Sequence, residues 1–530
     1  MFARPSLFPK YGIAFCLASL GLAAAVTWFT ADEPARRLLV NTFQLCGWVA
    51  AISMPMGVLL AMLLTRTNVA GKRFAWLLLL TLLFLPLHST AAGWVAVLGK
   101  LGSQAPALYQ TAQPLVDGMA AVIWIHAMAA IPWVTLIVSL GLAAIPREVE
   151  EAAILDISPA RFFLGVGLHY YAPFVLAAVL WVVITTAGEM TVTNLYMVST
   201  YAEEFYNNVA LKADSPTSGM QHLPGICGTV LMVLAICGMI ASLLPAGLGR
   251  QFQSPRSYEL GTWRWPLTLL GWCLLLLVFG VPLVSLALKA GMVKHAVGST
   301  YERAWSPSAF FNILITTPWR FRAELGVSAL YALCGAAVAL FVGLPLAVLA
   351  RPGGIRSWPA IITAAVCWAI PGPLVGLSLT WLLNWNFAPL IFLMDKTPLA
   401  PALAMGIKAL PITILVLWSA LASIPRQTLE AARLDGVGGL SLFWRIMLPQ
   451  RAAAIAAAGV IAFAIGLADL AWSILVLRTD TVQRRVFGLI HAGVDEQVAG
   501  ISLVTLALYF VLAMGIKGLM RQWSTARKPT

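Results

Sequence analysis

Apolar runs of about twenty residues recur along the whole chain and constrain its fold more than any other feature. The hydrocarbon core of a bilayer is about 30 Å thick, and about 20 residues of α-helix cross it. Twelve such runs fall into two sets of six, separated by a polar break at Gly249–Thr262: 11–30, 38–65, 74–99, 119–145, 171–198 and 223–247, then 264–288, 324–350, 358–384, 399–424, 452–477 and 500–520. The sequence therefore predicts an all-α polytopic membrane protein with about twelve transmembrane helices.

Composition supports a membrane protein and argues against a nucleic-acid partner. Of the 530 residues, 60% are hydrophobic and 10% charged, whereas a soluble domain has about 25% charged residues. The net charge of +13 would suggest nucleic-acid binding in a soluble protein. Here most Lys and Arg residues lie in short loops between apolar runs, where positive charge orients a membrane protein.

Positive charges also predict the orientation. The loop with Arg66, Lys72 and Arg73 is predicted to be cytoplasmic, as are both termini. Arg36, Arg37, Arg478, Arg484 and Arg485 fall on the opposite side and count against this assignment. The first run is interpreted as a retained helix rather than a cleaved signal peptide, because its apolar length of about 19 residues exceeds the usual 7–15.

A short charged segment occurs twice. Between Leu142 and Asp156, ten of fifteen residues are identical to those 279 positions later. Pro146 and Pro425 each end one helix and begin another, since proline fits the first turn of a helix. A Glu-Ala-Ala triplet follows in each copy, and small side chains allow another surface to approach closely. One copy alone could be a helix that covers the bundle, but two copies favour a partner with two-fold symmetry.

Two acidic residues inside apolar runs mark a candidate pathway. Glu189 follows Glu151 at nearly the same spacing as Asp469 follows Glu430. An acid at mid-bilayer costs about 2.5–3.5 kcal/mol on insertion scales, so it faces a cavity or a partner. The two acids could line a cation path, or they could brace neighbouring helices through buried hydrogen bonds.

Helix-breaking residues add to this candidate pathway. Pro86 and His88 lie in the third run, and Pro371 lies in the ninth with a second proline two residues later. Broken helices expose backbone groups that need water or protein partners, and so they often line a pathway. His126, in the fourth run, is a further candidate, although a single membrane histidine is more often a packing residue.

The sequence offers no sign of an enzyme, a metal site or a cofactor site. The seven cysteines include no Cys-x-x-Cys pair, and the six histidines are scattered. Gly93 through Lys100 has the wrong spacing for a Walker A motif and lacks the Ser or Thr after Lys. We therefore expect no ATPase in this chain, no catalytic residue, no bound metal and no cofactor.

The duplicated loop resembles the cytoplasmic Glu-Ala-Ala loop of permease subunits from binding-protein-dependent ABC importers. In that family the triplet is followed by Gly, an aromatic residue, an aliphatic residue and Leu-Pro. Loop 425–450 matches closely, whereas loop 146–169 has Ile157 in place of Gly and His169 in place of Pro, and is one residue shorter. The residues that the resemblance assigns to coupling are Glu151, Ala152, Ala153, Asp156, Glu430, Ala431, Ala432, Asp435 and Gly436.

The resemblance implies two tandem six-helix, MetI-like permease domains at 1–248 and 264–530, joined by a cytoplasmic linker at 249–263. It is closest to fused ferric iron permeases, with thiamine permeases as near relatives. It implies a multi-pass protein of the inner (cytoplasmic) membrane. The implied partners are ATP-binding subunits, in two copies, and a periplasmic or lipid-anchored substrate-binding protein.

Ferric iron is the first predicted cargo, and thiamine or another small solute is the alternative. The stretch Arg485–Asp495 resembles the same region of ferric-type permeases. A twelve-helix transporter driven by an ion gradient is the rival from another class, with Glu189 and Asp469 as coupling residues. It offers no explanation for the two Glu-Ala-Ala loops.

Overall fold

A computed structural model describes residues 33–98, 116–211, 256–297, 300–370, 372–385 and 387–525. The helices of its first half are α1 Glu33–Arg66, α2 Lys72–Phe84, α3 Leu87–Leu98, α4 Gly118–Ala143, α5 Arg147–Asp156, α6 Pro159–Leu164, α7 Leu168–Ala187, α8 Thr191–Leu195 and α9 Tyr201–Leu211.

The second half begins with a helical turn at Gly261–Trp263. Its further elements are α10 Arg264–Leu275, α11 Val281–Ala290, β1 Met292–Val297, β2 Thr300–Trp305, α12 Pro307–Arg320, α13 Arg322–Ala350, α14 Trp358–Ala369, α15 Gly372–Leu383, α16 Ala388–Lys396, α17 Leu399–Ala422, α18 Arg426–Leu434, α19 Gly439–Leu442, α20 Leu448–Leu467, α21 Val482–His491 and α22 Asp495–Thr525. One π-helical turn, Leu276–Gly280, joins α10 to α11, and another, Phe443–Met447, joins α19 to α20.

The chain is an all-α polytopic membrane protein. Within the described residues, eight helices are long and apolar enough to cross a bilayer, and two bent helix pairs raise the number to ten. Each bent pair falls in one predicted run, with angles of 104° between α2 and α3 and 102° between the helices on either side of residue 371. The predicted runs 11–30 and 223–247 and both chain ends lie outside the described residues, so the number twelve stays a prediction.

The two halves repeat one packing arrangement. In the first half α4 packs against both α1 and α7, and in the second half α17 packs against both α13 and α20. Each trio buries a core of Ala, Val, Leu and Ile side chains. Trp181 of the first half packs edge-on against Trp368 of the second, with ring centroids 5.3 Å apart. The trios place the helices that lead into the duplicated loops at the centre of each half.

A short β-hairpin lies between two helices of the second half. Strands β1 and β2 pair antiparallel, from Met292 opposite Trp305 to Val297 opposite Thr300. The hairpin lies between α11 and α12. Phe311, Ile315 and Trp319 of α12 are exposed along one face. The segment between the apolar runs 264–288 and 324–350 thus contains a hairpin and a helix that were not predicted from the sequence.

Candidate functional site

The duplicated segments form two short helices whose repeated residues point outwards. In α5 the side chains of Glu151, Ala152 and Asp156 are exposed, and in α18 those of Glu430 and Ala431 are exposed. The described segments therefore present matching acidic and small side chains on their outer faces.

A leucine at the same position in each helix completes the exposed face. Leu155 is 85% exposed, and Leu434, the equivalent residue of the second copy, is 89% exposed. An exposed large apolar side chain is informative when it recurs at equivalent positions beside polar residues, because such patches mark interaction sites. Ala432 is buried and Ala153 is partly buried, so the last alanine of each triplet packs towards the protein while the glutamate stays accessible.

An arginine holds the end of the helix that precedes each loop. Arg66 donates to the carbonyl oxygen of Leu142, and Arg351 donates to that of Leu421 (3.0 Å). Leu142 and Leu421 are equivalent in the two copies. A cation at the C-terminal end of a helix satisfies free carbonyl groups and interacts favourably with the helix dipole. Both arginines therefore fix the angle at which the chain enters the duplicated helix.

The backbone conformation after the duplicated helix differs between the two copies, as the sequence there does. Gly436, the second residue after α18, adopts φ 78°, a left-handed conformation that glycine adopts without steric cost. Ile157 occupies the corresponding place after α5 with φ −131°, an extended conformation open to any residue. The substitution of Ile for Gly in the first loop thus reflects a different backbone path and imposes no strain.

Glu189 caps a break in the helical path and pairs with a histidine. It lies two residues after the end of α7, and its carboxylate accepts hydrogen bonds from the backbone nitrogens of Thr191 (2.6 Å) and Val192 (3.1 Å). Nε2 of His126, on α4, lies 3.3 Å from Oε2 of Glu189. His126 Nδ1 is 2.8 Å from the carbonyl oxygen of Val122, which can only accept, so Nδ1 carries a proton.

Asp469 repeats this arrangement in the second half. It lies two residues after the end of α20 and accepts hydrogen bonds from the backbone nitrogens of Trp472 (3.4 Å) and Ser473 (3.0 Å). Nζ of Lys408, on α17, lies 2.9 Å from Oδ1 of Asp469, whose side chain is fully buried. In each half, the helix that enters the duplicated loop supplies a base, and the break after the loop supplies the acid.

These contacts supply the bracing role that the sequence left open for the two acids. Each carboxylate has a base within ion-pair distance and backbone donors at the start of the following segment. A charge that is paired and hydrogen-bonded tolerates burial far better than an isolated one. The structure therefore provides a protein partner for each acid.

Two other predicted pathway residues, Pro86 and His88, lie at the bend between α2 and α3. Pro86 is buried at the bend between α2 and α3, and Pro371 lies outside the described residues. His88 is buried, and its Nε2 donates to Oε1 of Gln483 (2.7 Å). The Gln483 amide donates in turn to the carbonyl oxygen of Leu467 (2.9 Å). His88 thus joins the bend in the first half to the end of α20 in the second.

Two partners were not identified from the sequence. Nothing in the sequence singled out Gln483, because it lies in a polar stretch between the apolar runs 452–477 and 500–520. Lys408 did carry a signal, since it is a single lysine within the apolar run 399–424, and an intramembrane charge calls for an opposite charge nearby. Its acid, however, lies 61 residues away, and only the fold brings the two together.

A Glu189→Gln variant is expected to unfold more easily by about 1 kcal/mol. Glutamine keeps a carbonyl oxygen to accept from Thr191, but it removes the charge opposite His126. Thermal or SDS-induced unfolding of the purified protein measures the change, with Glu33→Gln, at an exposed position, as the matched control. Equal stability of the Glu189 variant and the wild type would contradict a stabilising contact between the Glu189 carboxylate and His126.

Comparison with known proteins identifies the second half. Residues 324–524 match the family described as binding-protein-dependent transport system inner membrane component. This match agrees with the predicted resemblance, and the matched segment contains α18, Lys408 and Asp469.

Two curated relatives are permeases. The sulfoquinovosyl glycerol transport system permease protein SmoG of Agrobacterium fabrum is 27% identical over 180 residues, which cover 31% of this chain and 55% of that protein. The sn-glycerol-3-phosphate transport system permease protein UgpE of Yersinia enterocolitica is 37% identical over 67 residues, covering 13% of this chain and 24% of that protein. The chain thus spans about half of the first relative and about a quarter of the second.

Proposed function

We propose that this chain is the membrane-spanning subunit of an ATP-binding-cassette importer. One observation carries the proposal: α5 and α18 present matching exposed faces, one in each half of a chain whose second half is a transport-permease domain. Each helix would dock on an ATP-binding subunit, and two docking helices fit two copies of that subunit. Nucleotide binding would then shift the permease between inward-open and outward-open states.

The proposed organisation follows the internal repeat. Residues 1–248 and 264–530 form two permease domains, with a linker at 249–263. The equivalent packing of α1, α4 and α7 and of α13, α17 and α20 supports this division. The duplicated helices face the cytoplasm of a bacterial cell, the protein lies in its inner membrane, and both termini are cytoplasmic. A substrate-binding protein docks on the opposite face.

The proposed pathway runs between the two halves, past the paired acids and the helix breaks. His126–Glu189 and Lys408–Asp469 each connect the helix entering a docking loop to the break that follows it. A movement of the loop would therefore pull directly on the capped segment next to the pathway. His88 and Pro86 would line the same route at the bend between α2 and α3, and Pro371 is the further pathway residue that the sequence suggests.

A small polar organic solute is the cargo class that the contacts and relatives favour. Lys408 already pairs with Asp469, and two backbone nitrogens and Nε2 of His126 already lie against the Glu189 carboxylate, so neither acid is a free ligand for an incoming cation. Both relatives are named for glycerol derivatives, a sulfoquinovosyl glycerol and a glycerol phosphate. Ferric iron, and thiamine after it, remain the alternatives that the sequence resemblance suggests.

Reconstitution tests the proposal and the cargo together. The chain is placed in proteoliposomes with candidate ATP-binding and substrate-binding proteins from the same organism, and ATP hydrolysis and labelled-solute uptake are measured. We expect binding protein loaded with its solute to stimulate hydrolysis, and uptake to require ATP. Uptake that follows an imposed proton or sodium gradient without ATP would establish the secondary transporter instead.

The cargo comparison uses the same liposomes. We expect uptake of labelled sn-glycerol-3-phosphate or a sugar glycerol to exceed uptake of ferric iron or thiamine at equal concentration. Uptake of iron alone would restore iron as the cargo and would leave the importer class intact.

A further inference from the structure

Residues 256–260, between the two halves, contact α5, the first of the two proposed docking helices, and the end of α1. The backbone nitrogen of Tyr258 donates to the carbonyl oxygen of Arg66 (2.7 Å), at the end of α1. The backbone nitrogen of Leu260 donates to Oδ1 of Asn68 (3.1 Å). Residues 256–260 therefore run beside the end of α1, where Tyr258 forms an isolated parallel β-bridge with Thr67, directly before the turn that begins the second half.

A buried charged cluster links this segment to α5. Oε2 of Glu150 lies 2.8 Å from Nη1 of Arg66, and the two side chains are 1% and 2% exposed. The Tyr258 hydroxyl donates to the other carboxylate oxygen, Oε1, at 2.6 Å. Burial and the Glu150 carboxylate hold the pKa of the Tyr258 hydroxyl above its ordinary value, so Tyr258 remains a hydrogen-bond donor at neutral pH. Both oxygens of Glu150 are thus satisfied, one by each neighbour.

Aromatic contacts close the same cluster. The guanidinium of Arg66 lies 5.6 Å from the centre of the Phe163 ring, and that ring packs edge-on against Tyr258 with centroids 5.7 Å apart. Phe163 belongs to α6, the next helix of the loop. The linker therefore contacts both short helices of the first docking loop as well as the end of α1.

Among the described residues, the second docking helix has no equivalent of this charged attachment. Leu429 occupies the position equivalent to Glu150, and it is buried in an apolar cluster with Leu442 and Met447. Arg351, the counterpart of Arg66, donates to the carbonyl oxygens of Leu421 and Ile424. Apolar packing and capping of the preceding helix thus hold the second loop in place. The first loop is held in addition by contacts with residues 256–260, a segment that occurs once in the chain.

We propose that residues 256–260 work as a mechanical connection that transmits movement of the first docking helix into the second half of the permease. This inference rests on the proposed function and adds a positioning role for Tyr258, Glu150 and Arg66. Separating a buried charge from its partners is costly, so a displaced α5 carries Tyr258 with it rather than breaking the cluster.

The linker is also continuous with the helices that receive the movement. Leu260 leads into α10, and α10 is fastened to the loop after α1: Thr268 accepts from the backbone nitrogen of Ala70 (3.2 Å), and Trp272 donates to the carbonyl oxygen of Ala70 (3.2 Å). The end of α1, the linker and the start of α10 therefore move as one unit with α5. Two permease halves on separate chains would have no such connection.

A Tyr258→Phe variant tests the connection with the smallest change. Removing the hydroxyl leaves one buried Glu150 oxygen without its donor. We expect amide hydrogen exchange in residues 147–156 to become about tenfold faster, because a hydrogen bond to a charged acceptor is lost. Exchange in residues 426–434 should be unchanged. Tyr331→Phe is the matched control, since its hydroxyl bonds a neutral hydroxyl, that of Thr479.

The reconstituted importer supplies the functional readout. We expect Tyr258→Phe to lower the number of solute molecules imported per ATP hydrolysed, while Tyr331→Phe leaves it at the wild-type value. Faster exchange with an unchanged import ratio would overturn the transmitting role. Unchanged exchange would overturn the connection itself. A wild-type chain that does not respond to ATP-binding subunits would instead refute the proposed function, and the exchange measurement would still judge the connection.

A background variant checks that Tyr258 acts through Glu150. The double substitution Arg66→Leu with Glu150→Leu replaces the charged pair by apolar side chains, so that the first loop packs as the second does through Leu429. In that background Tyr258→Phe is expected to change neither the exchange of residues 147–156 nor the import ratio. A full Tyr258→Phe effect in the background would overturn the assigned partner.

Discussion

A Glu430→Lys permease is expected to insert into the membrane normally. The stimulation of ATP hydrolysis by loaded binding protein is expected to fall about 100-fold. Glu430 is exposed at the outer face of α18, so its replacement costs the fold little. In the proposed complex the same side chain lies in the contact with the ATP-binding subunit. A reversed charge in a desolvated contact costs several kcal/mol, and about 1.4 kcal/mol corresponds to a factor of ten. Hydrolysis stimulated by loaded binding protein measures the loss.

The controls separate docking from a general charge effect. Glu33→Lys makes the same charge change at an exposed position of α1 and should keep full stimulation. Glu151→Lys should also impair coupling, but less, because Glu151 is already engaged by Arg147 on the surface of α5 (2.7 Å). Wild-type stimulation in the Glu430 variant would remove the docking role of α18.

An Asp469→Asn permease is expected to lose about 2–3 kcal/mol of stability. The substitution leaves the Lys408 ammonium without its counter-charge inside the helix bundle. Breaking a buried pair by removing one partner costs about 3–5 kcal/mol, and partial exposure of Lys408 lowers that value. Asparagine caps a helix nearly as well as aspartate, so the unpaired charge dominates the loss. SDS-induced or thermal unfolding of the purified protein measures it.

A double variant shows whether the pair only supports the fold or also serves transport. Lys408→Met with Asp469→Asn removes both charges and keeps the cap, so we expect most of the lost stability to return. We expect import by the double variant to remain slow, because the proposed pathway passes this pair. Full import would confine Lys408 and Asp469 to a structural role. An Asp469→Asn protein as stable as the wild type would contradict the ion pair itself.

Local sequence signals located the duplicated helices but not their attachments. Pro146 and Pro425 predict where α5 and α18 begin, and the glutamate of each triplet is exposed as expected. Glu148, Glu150 and Glu151 are the same type of residue within four positions, yet of the three only Glu150 is buried. Its burial depends on Arg66 and Tyr258, which lie 84 and 108 residues away. Such a cluster is a product of tertiary packing that local periodicity does not encode.

The helix breaks were predicted from proline, whereas the size of the bends was not. Runs 74–99 and 358–384 have the length of single spans, and Pro86 and Pro371 indicated a break in each. The structure turns each pair through more than 100°. The sequence showed that Glu189 and Asp469 lie inside apolar runs at equivalent places in the two halves. It did not show which bases lie next to them, because those bases come from other helices. The bracing contacts of the two acids therefore could not be predicted from the sequence.

Photo-crosslinking from the two exposed leucines tests the central claim most directly. A photoreactive residue replaces Leu155 in one variant and Leu434 in another, with Phe341, 82% exposed on the apolar surface of α13, as the control position. We predict that both leucine positions crosslink to the same ATP-binding subunit in the reconstituted complex and that position 341 does not. Crosslinks to lipid alone from both leucine positions, in a complex that hydrolyses ATP, would contradict the docking of the duplicated helices.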